Sequence, residues 1–213
     1  MNKILSLFFV VLISSCTSSE DLRVDLHSFS EPHNVITTHL DLDLEIDFEN
    51  EIIIGEARYT IQNKTRSNKL VLDINGLHIE KVTINNKERS FHFGEKDPIL
   101  GQALIIDIEN DTQVVSIHYK SAPKAKALQW LNPKQTSGQK YPFLFTQSQA
   151  ILARTWIPCQ DSPGVRFSYT AKVTVPKDLL PVMSAENPTE KNNNGIYKFK
   201  MKQPIPAYLM ALS

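Results

Sequence analysis

The sequence predicts an all-β fold, a sandwich of many short and mostly antiparallel strands. Three observations carry that reading. Residues 40–48 alternate strictly, with Leu40, Leu42, Leu44, Ile46 and Phe48 set between Asp41, Asp43, Glu45 and Asp47. That is the period of a strand with one dry face and one wet face. Turn-forming pairs such as Asn75-Gly76, Asn85-Asn86 and Asn110-Asp111 recur at the spacing of a sandwich. No stretch of eleven or more residues keeps a helical period, and nine of the 12 prolines lie after Trp130, where each would interrupt a helix.

The first element is not part of that fold. Lys3 precedes an apolar run, Ile4 to Ile13, broken only by Ser6. A run of that length rises only ~15 Å as a helix, about half a bilayer core, so it reads as a signal segment and not a span. It ends in Ile13-Ser14-Ser15-Cys16, which resembles a bacterial lipobox. The resemblance implies cleavage after residue 15 and lipid attachment at Cys16. Residues 1–15 are then a lipoprotein signal peptide, 16–24 a polar tether, and 25–213 the β domain. The protein would be exported and held in the bacterial cell envelope, on its periplasmic or outer-membrane side, touching membrane through that anchor alone.

Within the domain, the strand at residues 40–48 is followed by a second run holding Ile52, Ile54, Ala57, Tyr59 and Ile61. Parity changes at Gly55, which predicts a bulge or bend there. Residues 63–68 read as a loop. Leu70, Leu72 and Ile74 form a third strand, closed by Asn75-Gly76. Ile79, Val82 and Ile84 lead through Asn85-Asn86 to Phe91 and Phe93, a hairpin reading. Residues 104–108 and 114–119 form another pair across Asn110-Asp111. Regular strands return at residues 167–175 and 196–201. The apolar run 206–213 reads as the start of a strand without turn or cap. It predicts an exposed edge and a domain incomplete at its C-terminal end.

Composition excludes some functions. The chain carries 23 basic and 23 acidic residues, without the basic surplus of a nucleic-acid binder. Loss of residues 1–15 would remove only Lys3 among the charges. With Cys16 lipidated, Cys159 would be the one free thiol, so no internal disulfide is expected. Cys159 beside Ile157-Pro158 reads as a buried packing thiol. The acidic stripe on the first strand reads as a solvated face, because side chains two apart on a strand do not converge on one ion. His27, His33, His39, His78, His92 and His118 show no metal-ligand spacing. There is no phosphate-binding glycine loop, no Gly-x-Ser-x-Gly and no His-Glu-x-x-His. One anomaly remains between residues 124 and 166. Gln129, Trp130, Gln135, Thr136, Gln147, Ser148, Gln149, Gln160 and Asp161 crowd a proline-punctuated region. It reads equally as a ligand surface on loops or as a hydrogen-bonded structural cluster.

Here the sequence resembles a known family. Residues 127–138 read ALQWLNPKQTSG, 141–154 read YPFLFTQSQAILAR, 156–165 read WIPCQDSPGV and 169–176 read YTAKVTVP. This series resembles the N-terminal domain of the M1 zinc aminopeptidases (the aminopeptidase N family), in the branch of leukotriene-A hydrolase and aminopeptidase B. The resemblance runs from about Asp25 to Ser213. It implies a twisted, saddle-like β-sandwich that covers a separate downstream catalytic domain. It also implies that Gln147, Ser148, Gln149 and Ala150 help hold the free N-terminus of a peptide substrate. Many relatives place Glu where Gln149 stands. The Gln149 carbonyl can accept a hydrogen bond from an ammonium group, but the anion must come from elsewhere, in the family from Gly-x-Met-Glu-Asn.

That motif and the zinc-binding His-Glu-x-x-His are absent from this chain. The expectation is therefore an N-terminal domain of a zinc aminopeptidase, inactive in these residues alone, with zinc ligands beyond Ser213 and no catalytic or metal residue within the chain. Epoxide hydrolysis has no support in the sequence. The competing reading is a non-catalytic, lipid-anchored β-sandwich that binds peptides or envelope partners.

Overall fold

The computed structural model describes residues 25–213. The proposed signal peptide, Cys16 and the tether lie outside the described residues. The rest is strand and connecting loop, and its only helical pieces are four single 3-10 turns.

Strand β1 (Val35–Asp47) pairs antiparallel with β2 (Ile52–Asn63) and parallel with β11 (Phe167–Thr174). These strands lie in a seven-stranded sheet ordered β12-β11-β1-β2-β8-β4-β5. Its other members are β4 (His78–Ile84), β5 (Lys87–Glu88), β8 (Val114–Lys120) and β12 (Ile196–Ile205). A second sheet of three strands, β3 (Lys69–Ile74), β7 (Gln102–Asp107) and β6 (Phe91–Phe93), packs through Leu70, Leu72, Leu104 and Ile106 into the same apolar cluster as the large sheet. The third sheet is the hairpin of β9 (Leu128–Leu131) and β10 (Phe143–Thr146).

The alternation at 40–48 does what its period requires. Leu40, Leu42, Leu44 and Ile46 are buried, and Asp43 and Glu45 face solvent. Lys172 on the parallel neighbour lies 2.5 Å from Asp43, and Asp41 accepts from Thr170. The stripe is thus a solvated face, with Asp41 and Asp43 paired across strands and Asp47 bonded to the turn at Glu49 and Asn50. The Asn85-Asn86 turn has both residues at positive φ, 53° and 61°, as a two-residue hairpin demands.

Four local expectations are corrected. The parity change does not sit at Gly55: β2 runs unbroken, with Ile53, Ala57, Tyr59 and Ile61 inward. The register shift is on its partner, between Thr37 and His39. Gly55 is required instead by close packing, since a Cβ there would lie 2.6 Å from Cζ of Tyr119, the residue paired with it on β8. The hairpin after Asn85-Asn86 closes only onto β5; Phe91 and Phe93 belong to the other sheet. The strands around Asn110-Asp111 also part, β7 joining the small sheet and β8 the large one. Local turn chemistry marks a reversal, but the burial available on each side decides which sheet each arm joins. Lastly, residues 206–213 form no open strand. They make a 3-10 turn at Ala207–Leu209 and then bond to residues 146 and 182, with Ala207, Met210 and Leu212 buried.

Candidate functional site

The hairpin β9–β10 delivers the turn at 147–150. Its long connection is self-capped: the Asn132 side chain accepts from Lys134 N, Gln135 Oε1 accepts from Asn132 N, and Thr136 Oγ1 donates to the carbonyls of Pro133 and Tyr141. Trp130 meets Phe48 edge-on at 5.3 Å. Gln135, Thr136 and Trp130 are therefore scaffold.

The turn itself is pinned at every side. Thr146 N donates to Leu212 O at 3.0 Å, and Leu212 N to Thr146 Oγ1 at 2.9 Å. Gln147 N donates to Ala127 O at 2.8 Å. Ser148 points inward: its Oγ donates to Met210 O at 2.9 Å and accepts from Trp156 Nε1 at 3.1 Å. Its carbonyl accepts from Leu152 N. Gln149 N donates to the Gln147 side chain at 3.1 Å, and the Gln149–Ala150 peptide is cis. Gln147, Gln149 and Ala150 are exposed. Of the four residues named from the sequence, three face outward together. Ser148 is buried and both of its hydroxyl bonds are made within the chain, so it serves the turn's geometry.

A few residues further along the chain lies what the sequence reading missed. Arg154, fully buried, sits on the 3-10 turn Ala153–Thr155. Its Nε donates to Asp161 Oδ2 at 3.1 Å, Nη1 to Leu100 O at 2.9 Å, and Nη2 to His27 O at 2.8 Å and Asp161 O at 3.1 Å. Asp73, also fully buried, lies 3.7 Å from Nη1 and accepts from Ser28 Oγ, Phe29 N and Asp161 N. Burial pushes both carboxyls above their ordinary value, against the pull of Arg154. A lone arginine in the apolar run ILARTWIP was the available signal. Gln160 closes the neighbouring gap. Its Oε1 accepts from Thr37 N at 2.8 Å and its Nε2 donates to Val35 O at 2.7 Å, beside the bulge that interrupts β1. The two-way reading of the glutamine-rich region therefore divides: Gln160 and Asp161 are structural, while Gln147 and Gln149 remain open to a ligand.

Cys159 is buried and its thiol is pushed well up by burial and by the nearby carboxylates, so it is no nucleophile. Among the described residues, no group of three or more His, Cys, Asp or Glu side chains could hold a metal ion. The donor set of this domain does not fit zinc. The exposed amides at 147 and 149 can accept from or donate to a ligand, but no nucleophile or perturbed acid stands beside them.

Comparison with known proteins places the chain. Residues 36–209 match the Peptidase M1 N-terminal domain family. The chain is 38% identical over 199 residues to leukotriene A-4 hydrolase of Xenopus laevis, covering 88% of this chain and 33% of that protein. It is 33% identical over 208 residues to leucine aminopeptidase 2 of Aspergillus fumigatus, covering 92% and 34%. Its structure is similar to that of leukotriene A4 hydrolase from Saccharomyces cerevisiae, with a TM-score of 0.81 at 34% identity, covering 91% of this chain and 31% of that one. The M1 zinc metallopeptidase of Deinococcus radiodurans shares the fold, with a TM-score of 0.67 at 20% identity, over 84% and 41% of the two chains. The chain thus spans about a third of the length of the curated relatives it matches.

Proposed function

Since the chain belongs to the Peptidase M1 N-terminal domain family, we propose that it is the N-terminal β domain of a zinc-dependent aminopeptidase that removes N-terminal residues from peptides. In this reading its turn Gln147–Ala150 forms one wall of the pocket for the substrate's free amino end. The zinc and its ligands belong to a catalytic part that follows Ser213, and the residues described here hold the substrate's amino end without taking part in bond cleavage. The same proposal places the protein in the cell envelope, exported and lipid-anchored at Cys16.

One observation carries the pocket role. Gln149 presents an exposed amide from a turn held through Gln147 N to Ala127, through the Ser148 hydroxyl to Met210 and through the preceding Thr146 to Leu212. A hydrogen-bond acceptor on so fixed a support loses little freedom when it meets a ligand. Gln149 Oε1 would accept one N–H of the substrate ammonium, with a carboxylate of the catalytic part supplying the charge. Met210 and Leu212 bring the last residues of this chain against the turn, so a segment continuing from Ser213 would start beside it.

The test uses the complete protein and an aminoacyl chromogenic substrate. Removing a hydrogen bond to a charged group costs about 1.5–3 kcal/mol, so Gln149→Ala should lower kcat/KM about 10- to 150-fold. A kcat/KM equal to wild type for Gln149→Ala, in a protein that folds normally, refutes the pocket role.

A further inference from the structure

The arm at residues 25–30 is fastened beside a set of exposed apolar side chains that the aminopeptidase reading does not use. Arg154 ties the arm to the β6–β7 loop, since one guanidinium binds both His27 O and Leu100 O. The residues just before those two, Leu26 and Ile99, are 80% and 71% exposed. Asn75 Nδ2 donates to Ile99 O, and Asn75 borders a cavity with Phe93, Lys96 and Gly101. Phe93 is 46% exposed. Leu26 and Ile99 thus adjoin the two carbonyls that share Arg154, and Phe93 lines the cavity beside them, close to where the tether joins at Asp25.

Tether length decides what can cover them. Only residues 17–24 separate Cys16 from Asp25. Fully extended, that stretch reaches about 30 Å, at ~3.3–3.6 Å per residue. A lipid on Cys16 would hold this end close to the bilayer at a high effective concentration. Asp25, Glu95 and Asp97 outnumber Lys96 here, so attraction to anionic headgroups is not what the surface offers.

We propose that Leu26, Ile99 and Phe93 form a membrane-contact face that rests in the lipid surface holding the protein's own anchor. The proposal rests on the anchor reading of Cys16. Contact would orient the domain with this face down, burying apolar side chains in the interfacial region.

The lipidated chain, reconstituted in phosphatidylcholine vesicles, tests it. Ile99→Cys is coupled to an environment-sensitive fluorophore; Cys159 is buried and a lipidated Cys16 is blocked, so the label is specific. Lys198→Cys, on the exposed face of β12, is the control. The label at 99 should be blue-shifted and quenched several-fold more by a spin-labelled lipid than the label at 198. Leu26→Asp with Phe93→Asp should abolish that difference, and added anionic lipid should not enlarge it. Equal quenching at both sites, with the lipid on Cys16 established by mass spectrometry, overturns the contact face and leaves the anchor standing. An unmodified Cys16 overturns the anchor and this proposal with it. Neither result bears on the pocket role of Gln149.

Discussion

Replacing Arg154 with methionine should be among the most damaging single changes to this domain. The side chain is buried, donates four hydrogen bonds and faces two buried carboxyls. Methionine fills similar volume but leaves the carbonyls of His27, Leu100 and Asp161 without that donor, and Asp73 and Asp161 without a cation. Breaking a buried charge cluster by removing one partner costs about 3–5 kcal/mol. That is a large share of the roughly 5–15 kcal/mol that stabilises a domain. Urea unfolding followed by the fluorescence of Trp156, which is buried close by, reads the loss directly.

The pH dependence separates charge from packing. In the native domain both carboxyls already lie above their ordinary value through burial. Without Arg154 they should rise further. A carboxyl raised in the folded state takes up its proton there before the unfolded chain does, so folding gains stability as pH falls through the folded value. The deficit of Arg154→Met should therefore be largest near neutrality and shrink on acidification, leaving the part due to lost hydrogen bonds. Arg154→Lys keeps a charge but not the planar fork, and should recover only a fraction. A loss below about 1 kcal/mol, the worth of one ordinary hydrogen bond, with no change between neutral and acid pH, would refute the view that this cluster holds the domain.

Other perturbations test other contacts. Gly55→Ala places a methyl against the Tyr119 ring and should cost about 1–3 kcal/mol; an unchanged melting temperature would contradict the packing argument. Ser148→Ala removes both hydroxyl bonds, leaving Trp156 Nε1 unpaired, and should cost about 1–3 kcal/mol while speeding proteolysis near Gln149. Ser148→Thr, which keeps the hydroxyl, should behave more nearly as wild type in the protease assay. Cys159 should react with a thiol reagent only at the rate of global unfolding, so rapid labelling in native buffer would show the site to be open.

Much of the fold was legible because strand signals are local. The alternation at 40–48, the turn at Asn75-Gly76 and the paired asparagines at 85–86 each carry their own stereochemistry. Pairing was less legible. Nothing within residues 102–120 states that the two strands on either side of Asn110-Asp111 should enter different sheets. The site divides likewise. Gln147–Ala150 emerged from an ordered series of family motifs and not from spacing or periodicity. The Arg154 cluster stayed hidden because Ser28 and Asp73 are far in the chain from each other and from Arg154 and Asp161.

By itself the sequence determined the all-β class and the position of most strands, since side-chain period and turn residues act over a few positions; Gln149 was marked only by the family resemblance. Only the tertiary structure decided which strands share a sheet, why Gly55 must lack a side chain, that Ser148 turns inward to hold the turn at Gln149, and that Arg154 turns inward to join the N-terminal arm to the β6–β7 loop. Those outcomes depend on which distant groups share one buried volume, where each polar atom needs a partner that no neighbouring residue can supply.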